Sequence, residues 1–134
     1  MASRTATVQA VNLVRGPDDA YGNEAAGYTV YSAEISLWNN TSSTVAGGTD
    51  TLDCNLATAI EDARRDGKTV TIRSMAVVGA AVVGGTSYAA SHAVSTNTIQ
   101  LTPKTSDWST NATLPANTST TQRYYRVVAG YTVA

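Results

Sequence analysis

The chain closes on Gln122-Arg123-Tyr124-Tyr125-Arg126-Val127-Val128-Ala129-Gly130-Tyr131-Thr132-Val133. Tyr125, Val127, Ala129, Tyr131 and Val133 occupy every second position, so an extended backbone places them on one face. A period of two marks a strand with one side on a core. Thr29 to Leu37 repeats the pattern: Thr29, Tyr31, Ala33, Ile35 and Leu37 alternate with the polar Ser32, Glu34 and Ser36. These two segments predict a β-rich fold.

Outward from them, further strands are expected at Thr5–Val14, Lys68–Val78 and Thr96–Leu101. The first ends at Gly16-Pro17-Asp18-Asp19, a strong turn signal, and a loop with Tyr21-Gly22-Asn23 follows. Leu52, Leu56, Ala59, Ile60 and Ala63 fit one face of a helix, which predicts a single short helix over 52–66. Thr51 or Asp53 would cap its start, Gly67 would end it, and Arg64-Arg65 would complement its exposed carbonyls. Met75 to Gly85 is apolar on both faces, as in a strand buried on two sides or one meeting another subunit. Residues 103–121 read as a long polar loop, and such loops tend to be functional or mobile. The expected architecture is mainly β, a β-sandwich or jelly-roll-like barrel with one short α-helix, in one domain spanning 1–134. The wide spacing of strands favours long crossing connections over hairpins.

Composition narrows the function classes. Charged residues are 14% of the 134, against roughly 25% in an average soluble domain. Net charge is −1 and the nine basic residues are dispersed, which argues against nucleic-acid binding. No apolar run approaches the ~20 residues of a membrane span. Met1-Ala2-Ser3-Arg4-Thr5 lacks the apolar core of a secretory signal, so the expected origin is a reducing cytoplasm. Cys54, alone in the sequence, is expected as a buried free thiol on the helix. The glycosylation-type triplets at Asn39, Asn40, Asn111 and Asn117 reflect the abundance of Asn, Ser and Thr.

Templates for chemistry find little to hold. His92 has no Gly-x-Ser-x-Gly elbow to work with and reads as a loop histidine. One Cys and one His cannot make a zinc site, and the runs Asp18-Asp19 with Glu24 and Asp50 with Asp53 do not follow a calcium-loop pattern. Glu34 is the one acid projecting from a strand, without the second carboxylate that glycoside hydrolysis needs. The expectation is a protein that is not an enzyme and takes no cofactor and no metal. Tyr occurs seven times and Trp twice while Phe is absent, and Tyr and Trp suit half-buried contact surfaces. The candidate interface residues are Met75, Val77, Val78, Val82 and Val83 in the apolar run, with Trp108, Tyr124 and Arg126. Aromatics among polar loops also fit a sugar-binding face.

A Thr-rich first strand ends at Gly16-Pro17-Asp18-Asp19, a short helix over Leu52–Asp66 leads into Lys68-Thr69-Val70-Thr71-Ile72-Arg73, and the chain closes on Tyr124-Tyr125-Arg126-Val127-Val128-Ala129-Gly130-Tyr131. In this organisation, over most of its length, the chain resembles the cement or decoration proteins on the heads of tailed bacteriophages. The resemblance rests on no single motif, so it transfers no individual residue. It implies a sandwich or jelly-roll protein, a homo-oligomer with a trimer favoured, bound to the major capsid protein across the seams between its subunits. Its place would be the capsid surface of the virion, with neither nucleic acid nor membrane as partner. Residues 1–7 would serve as an extended arm able to add a strand to a neighbour. A carbohydrate-binding or receptor-binding β-sandwich module is the alternative.

Overall fold

The computed structural model describes residues 2–14, 31–116 and 121–134. The Gly16–Asp19 turn, the Tyr21–Asn23 loop, Glu24, Thr29 and Asn117 lie outside these residues. The elements in chain order are β1 (Ala2–Thr5), β2 (Thr7–Val14), β3 (Tyr31–Trp38), β4 (Val45–Ala46), β5 (Asp50–Asn55), α1 (Leu56–Arg64), β6 (Val70–Gly79), β7 (Ala81–Val83), β8 (Thr86–Ser95), β9 (Thr98–Thr105), β10 (Thr113–Leu114), β11 (Thr121–Arg123) and β12 (Tyr125–Val133).

The alternating segments carry the fold. β12 lies between β3 and β6, with Val127 opposite both Ile35 and Val77. Tyr125, Val127, Ala129 and Tyr131 of β12 and Ala33, Ile35 and Leu37 of β3 are buried, as their period of two predicts. These strands belong to a four-stranded sheet ordered β2-β3-β12-β6. A six-stranded sheet, β1-β5-β9-β8-β7-β11, supplies the other layer through Leu52, Ile99, Leu101, Ala81 and Ala90. The protein is therefore mainly β, two large sheets over a shared core with one helix and a small third sheet, β10-β4, that adds Val45 and Leu114 to the core. Burying an aliphatic side chain of this size stabilises by about 1.5–3 kcal/mol.

The helix differs from the expectation. Residues 50–55 form β5, and the helix begins only at Leu56. Leu52 and Cys54 point into the core with a period of two, and a spacing of four from Leu52 to Leu56 suits two strand repeats as well as one helical turn. The cap is Asn55, whose side chain accepts the Thr58 N–H at 3.0 Å, rather than Thr51 or Asp53. The left-handed residue that ends the helix is Arg65, with φ 57°; Gly67 lies beyond it. Arg64, in the last turn, reaches over the rings of Tyr31 and Tyr131 and pairs with Asp66 at 2.8 Å. Cys54 is a buried free thiol, on a strand instead of the helix.

Other boundaries move for related reasons. The run 75–85 divides at Ala80, where the chain passes from one sheet to the other. Gly84 and Gly85, both at positive φ, close a two-residue hairpin into β8, and a second tight turn at Thr96-Asn97 joins β8 to β9. Short hairpins thus replace the long crossings expected there. Residues 103–121 are not one loop: they include the end of β9, β10 and the first residue of β11. Ala2–Thr5, expected as a projecting arm, pairs in parallel with β5 of its own sheet. His92 lies on β8 rather than in a loop.

Candidate functional site

One flank of the sandwich is open. β6 forms the edge of its sheet, paired with β12 alone among the described strands. On the same flank, β7 covers β8 only as far as Tyr88, so Ala89–Ser95 has β9 on one side and no described strand on the other. His92 lies opposite Leu101, and Val94 opposite Ile99. Cross-strand partners share a face, and Leu101 and Ile99 are fully buried. His92 and Val94 therefore occupy the core-facing side of their sheet, yet both are exposed, Val94 to 54%.

Two hollows lie along this flank. The smaller, about 140 Å³, runs between Ile72, Met75 and Val94. The larger, about 330 Å³, is lined by Val77, Val78, Ala89, Ala90, Ser106 and Trp108. Val78 is 51% exposed and Trp108 55%. Isolated surface apolar residues are ordinary, whereas a contiguous group marks an interaction site.

Trp108 is held in place by its loop. Asp107 Oδ1 accepts the Thr105 hydroxyl at 2.7 Å, the Ser109 hydroxyl at 2.7 Å and the Ser109 N–H at 3.0 Å. Those donors, led by the Thr105 hydroxyl, hold the Asp107 carboxyl down at about 2. The Trp108 N–H donates to the Thr105 carbonyl at 2.9 Å, and Trp108 itself adopts φ 67°. A bulky residue in the left-handed region is costly and persists where its surroundings fix it. The loop thus fixes the backbone that carries an exposed indole at the lip of the larger hollow.

The other end of β6 is closed by side chains. The Val70 N–H donates to Glu61 Oε2 at 2.8 Å and the Ile72 N–H to Asn97 Oδ1 at 3.2 Å. No recorded side-chain bond caps the edge beyond Ile72 among the described residues.

The sequence candidates divide into three places. Met75, Val77, Val78 and Trp108 come together on the open flank. Val83 is buried and, with Tyr124, lines a narrow crevice where Tyr124 meets Trp38 edge-on at 5.8 Å; Val82 is half-exposed on β7. Arg126 lies on the solvent face of β12, covers Gly79 and pairs with Glu34 at 3.4 Å. Sequence reasoning missed Ile72, His92 and Val94. Their signal was faint, because β8 is mostly Ala and Ser and its alternation of Ala90, His92 and Val94 carries little apolar contrast.

Among the described residues, no three His, Cys, Asp or Glu side chains are grouped to hold a metal ion, and no described helix is long and apolar enough to cross a membrane. Asn39 is buried and spends its amide on the Ser43 and Pro115 carbonyls, at 3.0 and 2.9 Å. Comparison with known proteins finds no matching family model, no matching curated protein and no matching solved structure.

Proposed function

We propose that this protein is a structural component of a bacteriophage virion, a capsid cement or decoration protein that stabilises the head by bridging major capsid subunits. The observation that carries the reading is the open flank, where Met75 and inward-facing Val94 border one hollow and Val77, Val78 and Trp108 border the next. Such a surface gains ~25 cal/mol for each Å² of apolar area that a partner covers. The β6 edge, which has no second strand partner among the described residues, is open to a strand from another chain, a further copy included. Low charge suits the role, since wide contacts then bury few ions. The organisation of the chain, similar to that of head decoration proteins, supplies the partner: the major capsid protein, on the capsid surface, with the cement protein as a homo-oligomer, a trimer favoured. In this reading the protein performs no catalysis.

The test is binding to heads assembled without this protein. Added protein is expected to co-sediment with them to saturation and to raise the temperature at which they release DNA. Val78→Lys and Trp108→Ala are each expected to weaken binding at least tenfold, with folding unchanged. Heads that bind nothing would overturn the reading. A second reading, a carbohydrate-binding module, is favoured by one observation: Trp108 stands at a hollow that also carries Ser87 and Ser106. Glycan-array hits lost in Trp108→Ala, together with no head binding, would establish it instead.

A further inference from the structure

The two sheets treat their edges differently. The outer strands of the six-stranded sheet are short and charged: β1 has four residues with Arg4, and β11 has three with Arg123. Short length and a basic side chain are the usual means of keeping an edge from pairing with another chain. The outer strands of the four-stranded sheet are long, and only one of them carries a charge. β2 is Thr-Val-Gln-Ala-Val-Asn-Leu-Val, eight residues without a charge, and the ten residues of β6 carry only Arg73.

Exposed apolar residues follow the same division. Among the described residues the large exposed hydrophobics are Val8, Leu13, Val78, Val94 and Trp108. Val8 and Leu13 are on β2, Val78 is on β6, and Val94 and Trp108 flank β6 across the two hollows. Three of the five thus lie on the two outer strands of the four-stranded sheet, and the other two face β6 from β8 and the loop after β9.

From this we infer that the occupant of the β6 edge is β2 of a second copy of this chain, so that the four-stranded sheet continues from one copy into the next. The inference deepens the assembly reading above by naming the contact between copies. Charge is compatible: Arg73 meets a strand that has no cation to repel it and offers the amides of Gln9 and Asn12. Directions are compatible as well. Strands alternate in direction along β2-β3-β12-β6, so β2 and β6 are antiparallel. Rotation about an axis along the strands then sets β6 antiparallel to the neighbour's β2, the stronger pairing.

Irregularities limit the length of the contact. β6 has register shifts at Gly130/Tyr131 and Arg126/Val127 of its partner, and β2 has one between Val8 and Ala10. With Val70 and Ile72 already capped, the regular stretches left are Ser74–Val77 and Ala10–Val14. The contact is head-to-tail, because each copy offers β6 on one side and β2 on the other. Repeated, such a contact closes into a ring of three or more copies when the rotation fits.

Light scattering on the purified full chain is expected to give a discrete assembly of at least three copies. Val78→Lys blocks the β6 edge and Leu13→Lys the β2 edge; each alone is expected at monomer mass, with the circular dichroism of the wild type. Mixed in equal amounts, the two variants are expected to form a 1:1 dimer, since one intact β6 then meets one intact β2. A monomeric wild type, a wild-type dimer, or variants that fail to complement would overturn the inference. Amide exchange gives an independent reading on unmutated protein: Met75, Val77, Val11 and Leu13 amides are expected to lose protection on dilution to monomer, and unchanged protection would contradict the contact. A monomer that still binds heads would remove this contact and leave the decoration reading standing. An assembly that binds no heads would do the reverse.

Discussion

Two buried side chains report on the core at the scale of single residues. The Tyr125 hydroxyl, on β12, donates to the Ala89 carbonyl of β8 at 3.1 Å. That bond crosses the sandwich beside the open flank. Burial pushes the Tyr125 phenol well up from its ordinary range, so it remains a donor at any pH the fold survives. Tyr125→Phe removes this bond between the sheets, while Ala89 keeps its place opposite Lys104 in the β8–β9 ladder, and is expected to cost ~1 kcal/mol, read from urea unfolding as a lower midpoint at unchanged slope. Cys54 is the second. Burial raises its thiol to about 11. At pH 8 only about one thiol in a thousand is ionised. Ellman's reagent is expected to react slowly with the native protein and at once with protein unfolded in guanidinium; rapid native reaction would mean that the strand around Cys54 opens.

At the scale of elements, the Thr105–Thr110 loop makes a sharp case for pH dependence. The Asp107 carboxyl is depressed from 3.8 to about 2 by the hydroxyls of Thr105 and Ser109 and the Ser109 N–H. A depressed acid stabilises the fold above its unfolded value and loses that contribution as pH falls through the folded value. The loop is therefore expected to hold above pH ~4 and to loosen on approach to about 2, followed by Trp108 fluorescence. Asp107→Asn, which keeps the shape without the charge, is expected to flatten that dependence.

Legibility in the sequence follows from contrast. β3 and β12 alternate large apolar with polar residues and were read with the correct faces. β8, seven of whose ten residues are Ala, Ser or Thr, was missed, because small residues give an alternation without amplitude. The helix was found but began four residues late, since Leu52 and Leu56 fit either period. Half of the candidate interface, Met75, Val77, Val78 and Trp108, lines the open flank, the first three from the run Met75–Gly85 that reads as apolar on both faces. Val83, Tyr124 and Arg126 went elsewhere, because sequence alone did not show where the run crosses between sheets at Ala80.

At the scale of the molecule, the sandwich has a closed side and an open one. α1 packs against β2, β6 and β9 and buries Leu56, Ala57, Ala59 and Ile60 in the core. Among the described residues the flank between β6 and β8 has no such cover, and there Val94, on the core-facing side of β8, is exposed. A stable interface needs upwards of about 1,000 Å² of buried surface. That is the physical case for a protein whose work is to be built into something larger. For the proposed decoration role, the most direct measurement is the protein's copy number in gradient-purified phage particles, by quantitative mass spectrometry against the major capsid protein. The expected result is a fixed ratio on the scale of the capsid lattice, retained through high salt. Absence from the particles, or a few copies in each, would contradict the account.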